Sequence, residues 1–169
     1  SLAFEDKEWQ RIPGTVRDSV EFSQKLEAGE SAWGKAKGTV DTSADGVLAW
    51  LWHFMSYERL KEHRAKNGDL LRREVLVPGS RSKIGIGVVK FPGGLSNRIF
   101  SLWWTWIRYE DGTIVLAFAD INEYDAESPA VKAAADMISA DAAASKAVRG
   151  STRGFWRIKP LAPFVSSVT

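Results

Sequence analysis

A chain of 169 residues, 44% hydrophobic and 26% charged, is long enough to bury a sizeable core as one globular domain and too apolar to stay disordered. Its formal net charge of +2 does not mark a nucleic-acid binder, and the lack of cysteine excludes a disulfide framework and thiolate-bound metal. No apolar run approaches the roughly 18 residues that a membrane-spanning helix needs, so the chain reads as soluble or membrane-peripheral.

The opening "AFEDKEWQRI" reads as a helix tail stopped by Pro13-Gly14. Residues 19–26 and 32–41 are strand-like runs around turn residues, hence a hairpin. In the second run Ala32, Gly34, Ala36 and Gly38 share one nearly bare face. Ser43 is placed to cap a helix with Asp45 in its first turn. That helix is mostly apolar through Met55, so its first part reads as largely buried. The charge-rich residues 58–66 read as a second, surface helix stopped by Asn67-Gly68. Four more strands are expected at residues 70–77, 83–91, 98–109 and 113–122, separated by Pro78-Gly79-Ser80 and Asp111-Gly112, an antiparallel meander. The link "FPGGLSN" places Leu95 on glycine hinges. Residues 129–148 are alanine-rich with a weak apolar face, either a lid or a tethered surface helix. A final strand-like stretch is "RGFWRIKPLAPFVSSVT".

Within "SNRIFSLWWTWIRYEDGTIVLAF", a period of two puts Phe100, Leu102, Trp104 and Trp106 on one face and Ile99, Trp103 and Ile107 on the other. Both faces are apolar. Such a sheet must be covered twice, or must cover something other than protein. Charge is also uneven: residues 57–90 carry nine Lys and Arg against four Asp and Glu, whereas residues 108–141 carry two against eight. The first region would suit anionic headgroups.

Known catalytic signatures are missing. His53 and His63 lie outside any HExxH pattern, and no GxSxG elbow or phosphate-binding GxxxxGK[ST] loop occurs. The glycines of "GIGVVKFPGG" lie between strands and read as allowing curvature. Asp120, Glu123 and Asp125 lack the calcium-loop pattern and read as a solvated strand end. No metal site, cofactor or catalytic residue is expected.

Three segments, "GTVDTSADGVLAWLW", "SNRIFSLWWTWIRYEDGT" and "VRGSTRGFWRIKPLAP", resemble the START domain family of lipid-transfer proteins, the second through its S-x-R-D-F strand and the third through its late R-x-x…G-x-x-I-x-P-L strand. The resemblance implies an α+β helix-grip fold over residues 1–169, a curved antiparallel sheet around a cavity for one lipid. It also implies a C-terminal helix that this chain lacks, hence a domain truncated at its C-terminus. Ile99 replaces the Asp of R-D-F, and Trp104 stands where some sterol-binding members have a buried Arg, so the cavity should be more apolar.

On that reading Arg98, Phe100, Leu102, Trp104, Trp106, Leu116 and Phe118 line the lipid site, and Phe91, Pro92, Gly93, Gly94 and Leu95 form its gate. The implied function is non-enzymatic lipid binding or transfer by a cytoplasmic, membrane-peripheral protein. Its partners are a fatty acyl lipid or sterol and, transiently, a membrane surface, and not nucleic acid. A regulatory or interaction module with a filled cavity is the alternative. The aromatic face is expected to be covered by residues 129–148 or by a second copy of the chain.

Overall fold

The computed structural model describes residues 9–12, 20–25 and 33–169. Its strands are β1 (Gln10–Arg11), β2 (Glu21–Lys25), β3 (Trp33–Val40), β4 (Arg72–Leu76), β5 (Ser82–Val89), β6 (Arg98–Arg108), β7 (Ile114–Asp120), β8 (Val148–Arg149), β9 (Gly154–Ala162) and β10 (Val165–Val168). Its helices are α1 (Ala44–Trp52), α2 (Tyr57–Asn67) and α3 (Pro129–Ala140). Strand order is β1-β2-β3-β10-β9-β7-β6-β5-β4, with β8 beside β6 in the one parallel pairing recorded. The fold class is α+β, as expected. Among the described residues no helix is long and apolar enough to cross a membrane.

Two compact units divide the chain. The first comprises residues 1–47, 109–114 and 156–169. Its hairpin β2-β3 pairs Phe22 with Ala36 and Gln24 with Gly34, and β1 adds by pairing Arg11 with Ser23. The expected helix tail falls mostly on residues outside the described ones, and Gln10 and Arg11 are strand. The terminal stretch is two strands rather than one: β9 turns at Pro163-Phe164 into β10, which also pairs with β3. Ile158 and Ser166 are fully buried on one face of these strands, and the Ser166 hydroxyl donates to the Thr42 carbonyl at 2.9 Å. The Ser43 hydroxyl accepts from Gly46 N–H at 3.1 Å, the cap that starts α1.

The second unit comprises residues 48–108 and 115–155. Here the apolar run of α1 breaks at Trp52. Ser56 starts α2, and Gly68, at φ +68°, ends it with its N–H on the Arg64 carbonyl. The expected burial of the apolar run is only partial, because Trp50 is 45% exposed under the Arg59 guanidinium. The meander β4-β5-β6 is antiparallel, and Leu71, Ile84, Ile86, Val88 and Ile99 form its core.

Helix α3 closes that core with Ala130 and Ala134, joined by Trp103, Val131 and Ile138 at the edge. It therefore lies on the Ile99 face of β6 and does not cover Phe100, Leu102, Trp104 and Trp106. The expectation of a lid fails because Ala130 and Ala134 are small enough to dock closely on Ile84 and Ile86. The helix is also shorter than expected: Asp141 stops it, its carboxylate accepting from the N–H groups of Ala143 and Ala144.

Candidate functional site

Strand β6 places Phe100, Leu102, Trp104 and Trp106 on the face away from α3, opposite Gly87, Gly85, Lys83 and the end of β5. Two of those partners lack side chains, and Trp104 together with Phe54 closes over Gly85 while the space over Gly87 stays open. A Cβ at Gly85 would meet Phe54 at 2.8 Å and Trp104 at 3.1 Å. A Cβ at Gly150 would meet the Phe100 ring at 2.4 Å, and one at Gly154 the Phe118 ring at 2.9 Å. Trp104 and Phe118 meet in a tilted contact with centroids 4.7 Å apart and planes at 32°, and the Arg81 guanidinium lies 4.7 Å over Trp106. The sequence reads the glycines of "GIGVVKFPGG" as points of curvature; of these, Gly85 serves as a seat for aromatic rings.

The face is half-buried at Phe100, Leu102, Trp104, Trp106 and Phe118, and Leu116, two residues before Phe118 on the same side of β7, is fully buried. On the opposite face Trp103 stacks on Tyr124 at 4.7 Å beside the α3 core. The period-two division of β6 thus matches the packing.

A charged pair on this face escapes the sequence reading. Lys83, 1% exposed and directly opposite Trp104, is bonded to Glu74 at 2.8 Å and donates to the Trp52 carbonyl. Its ammonium lies 4.5 Å from the centroids of both Trp52 and Phe54. Arg72, in turn, donates from Nε to the Phe54 carbonyl at 3.0 Å. The C-terminal end of α1, where carbonyls lack helical partners, is thus held by two cations from the sheet. Burial lowers the Lys83 pKa, and Glu74 opposes that shift. The only sequence signal was the Pro78-Gly79 turn, which puts Glu74 and Lys83 on one face but says nothing of their burial.

The loop Phe91, Pro92, Gly93, Gly94, Leu95 is exposed, with Gly93 at φ +71° and Gly94 at φ +77°. Arg98 joins this loop rather than the aromatic face: it donates to the Ser96 carbonyl at 3.0 Å and lies 5.3 Å over Phe91. The base of the loop is tied to α2. Lys90 N–H donates to Asn67 Oδ1 at 3.0 Å, the Asn67 amide donates to His63 Nδ1 at 3.1 Å, and His63 Nε2 donates to the Leu70 carbonyl at 3.0 Å.

Asp120, read as a solvated strand end, is 2% exposed. It caps the 3-10 turn Ile121–Glu123 through Asn122 N–H and binds Arg149 at 3.0 Å. Glu123 and Asp125 are exposed, as expected.

No protein-family model matches this sequence, and no curated protein does either. Solved structures do resemble the fold. The STAR-related lipid transfer protein (fragment 25-204) from Xanthomonas axonopodis is similar at TM-score 0.67 and 14% identity, over 96% of this chain and 79% of that one. The human StarD13 (DLC2) lipid transfer and protein localization domain gives TM-score 0.63 and 16% identity, over 95% and 71%. Human STARD10 gives TM-score 0.63 and 13% identity, over 98% of this chain and 60% of that chain. Identities this low speak to architecture alone, and by that architecture the chain has the START-domain fold.

Proposed function

We propose that this chain is a non-enzymatic lipid-binding or lipid-transfer domain holding one hydrophobic ligand against Phe100, Leu102, Trp104, Trp106 and Phe118. The observation that carries this reading is the aromatic face itself, half-buried and seated low on glycines, while the cluster of Ile84, Ile86, Ile99 and α3 packs on the other side of β6. A chain of about sixteen carbons needs roughly 12 kcal/mol of apolar shelter outside a bilayer, at ~0.8 kcal/mol per CH₂. Rings that approach bare glycines closely offer such shelter at little loss of depth. The loop Phe91 to Leu95, with two glycines at positive φ, is the gate in this reading, and Arg98 braces it. The ligand is a fatty acyl lipid or sterol, and the protein works at membrane surfaces from the cytoplasm.

Lys83 is held by Trp52, Phe54 and the partly exposed Glu74, which suits holding α1 rather than moving protons to a substrate. One observation favours a second reading, a regulatory module with a filled cavity: Phe54 already occupies the space over Gly85. Native mass spectrometry of the purified complete protein separates the two. A co-purified lipid, together with saturable energy transfer from tryptophan to a dansyl-labelled fatty acid, is the expected result. A lipid-free protein with no saturable transfer favours the filled module.

A further inference from the structure

Among the described residues of the first unit, β1, β2, β3, β9 and β10 carry an unequal distribution of charge between their two faces. Register places Arg11 opposite Ser23, Ser23 opposite Lys35, and Glu21 opposite Lys37. It places Thr39 opposite Ser167 and Ser167 opposite Lys159, while Arg157 and Thr169 exchange both backbone hydrogen bonds. Residues opposite one another in an antiparallel ladder point to the same side. Arg11, Lys25, Lys35, Lys37, Arg157 and Lys159 therefore share one face, with Glu21 as the acid among the described residues of these strands.

This face is solvated: Arg11, Lys37, Thr39, Arg157 and Lys159 are all exposed. The other face carries the fully buried Ile158 and Ser166. Arg157 and Lys159 stand about 7 Å apart along one strand, and like charges at that spacing repel. Asp111, whose carboxyl is held low by its bonds from Thr113 and in part by Lys159, offsets some of that repulsion, and an anionic surface would relieve the rest. At the end of the same row, Leu161 is 56% exposed and Phe164, at the tip of the β9-β10 turn, is 77% exposed. Cations flanked by an exposed aromatic and an exposed aliphatic side chain match the layering of a bilayer interface, with phosphate outside and acyl chains beneath. A nucleic acid or an acidic protein would use the cations and leave Phe164 without a role.

We infer that this face, with Leu161 and Phe164 as its inserting edge, docks the chain onto anionic membranes. The inference places headgroup contact elsewhere than residues 57–90, the region whose charge excess also suits anionic headgroups. It does not depend on a ligand being held at the aromatic face.

The test is flotation of the full chain with vesicles of phosphatidylcholine alone and of phosphatidylcholine and phosphatidylserine at about 7:3. Binding to the mixed vesicles only, weakening with salt, is expected. The combined variant Lys37→Gln, Arg157→Gln, Lys159→Gln should lower partitioning by about a hundredfold, at about fivefold per cation. All three side chains point to water, and circular dichroism of the variant should match the parent. Phe164→Ser should weaken binding by a factor that persists at high salt. The control Lys61→Gln, Arg64→Gln, Lys66→Gln removes the same charge from exposed positions of α2 and should change little. Equal binding to both vesicles, an equal loss in the control, or capture of heparin in place of vesicles would each overturn the inference. Native mass spectrometry without vesicles reads the lipid-carrier proposal separately, so either can fail alone.

Discussion

His63 is 5% exposed and sits in a relay whose proton positions are fixed at both ends. The Leu70 carbonyl can only accept and Lys90 N–H can only donate, so Nε2 carries the hydrogen and Nδ1 is bare. Burial is the largest cause of its lowered pKa; the nearby Arg72 lowers it further, and the bond to Leu70 opposes both. The unfolded chain therefore takes a proton at a pH where the folded chain refuses it. This contribution is complete above the usual value of 6.5 and is lost as pH falls through the folded value. Urea unfolding at about pH 7.5 and pH 5.5 should show the loss, and His63→Gln should reduce the difference between the two. A second expectation concerns Glu74. Replacing it by Ala leaves the buried Lys83 ammonium without its counter-charge and should cost about 3 kcal/mol in chemical denaturation. Lys83→Met, which removes the charge and keeps the bulk, should cost clearly less.

At the scale of elements, the loops and strand ends that look incidental set the shape of the aromatic face. Gly150 follows β8 and Gly154 begins β9, and each lies under a ring carried by a different strand. Gly150→Ala would put a methyl 2.4 Å from Phe100, a distance real contacts do not reach, so the ring must rise away from the sheet. A cost of about 1 to 3 kcal/mol in stability is expected. Under the lipid-carrier reading, the variant should also favour shorter acyl chains than the parent in a displacement series against the dansyl probe. An unchanged chain-length preference would remove Gly150 from any part in the site. Helix α3 makes the opposite point: its alanines look too weak to hold it, yet their smallness is what brings the helix onto Ile84 and Ile86.

For the whole molecule, the two faces of β6 divide the work, one toward the core and one toward the proposed ligand. Trp103→Ala should therefore lower stability by about 2 to 3 kcal/mol, through lost contact with Tyr124 and the α3 core, and leave lipid transfer to the protein nearly unchanged. Trp104→Ala with Trp106→Ala should do the reverse, weakening the dansyl signal well beyond what its stability loss accounts for. If Trp103→Ala alone abolished the signal, the face assignment would be inverted.

Local patterns decided much of this fold. Period-two alternation divided β6 correctly, Ser43 and Gly68 marked helix ends, and Pro78-Gly79 and Asp111-Gly112 separated strands at the right places. These are effects within a few residues, where backbone sterics and capping act. Three segments, through the strand motifs they carry, were enough to suggest a resemblance to the START fold. What the sequence left undecided depended on partners far apart along it. The burial of Lys83 comes from Trp52 and Phe54 on another element, and the burial of Asp120 goes with Arg149, 29 residues away. The basic face of the first unit needs β1, β2, β3, β9 and β10 in register before its cations line up. A charged residue carries no local mark of whether it will meet water or a buried counter-charge, because desolvation is set by whatever packs against it. Only the tertiary structure supplies that.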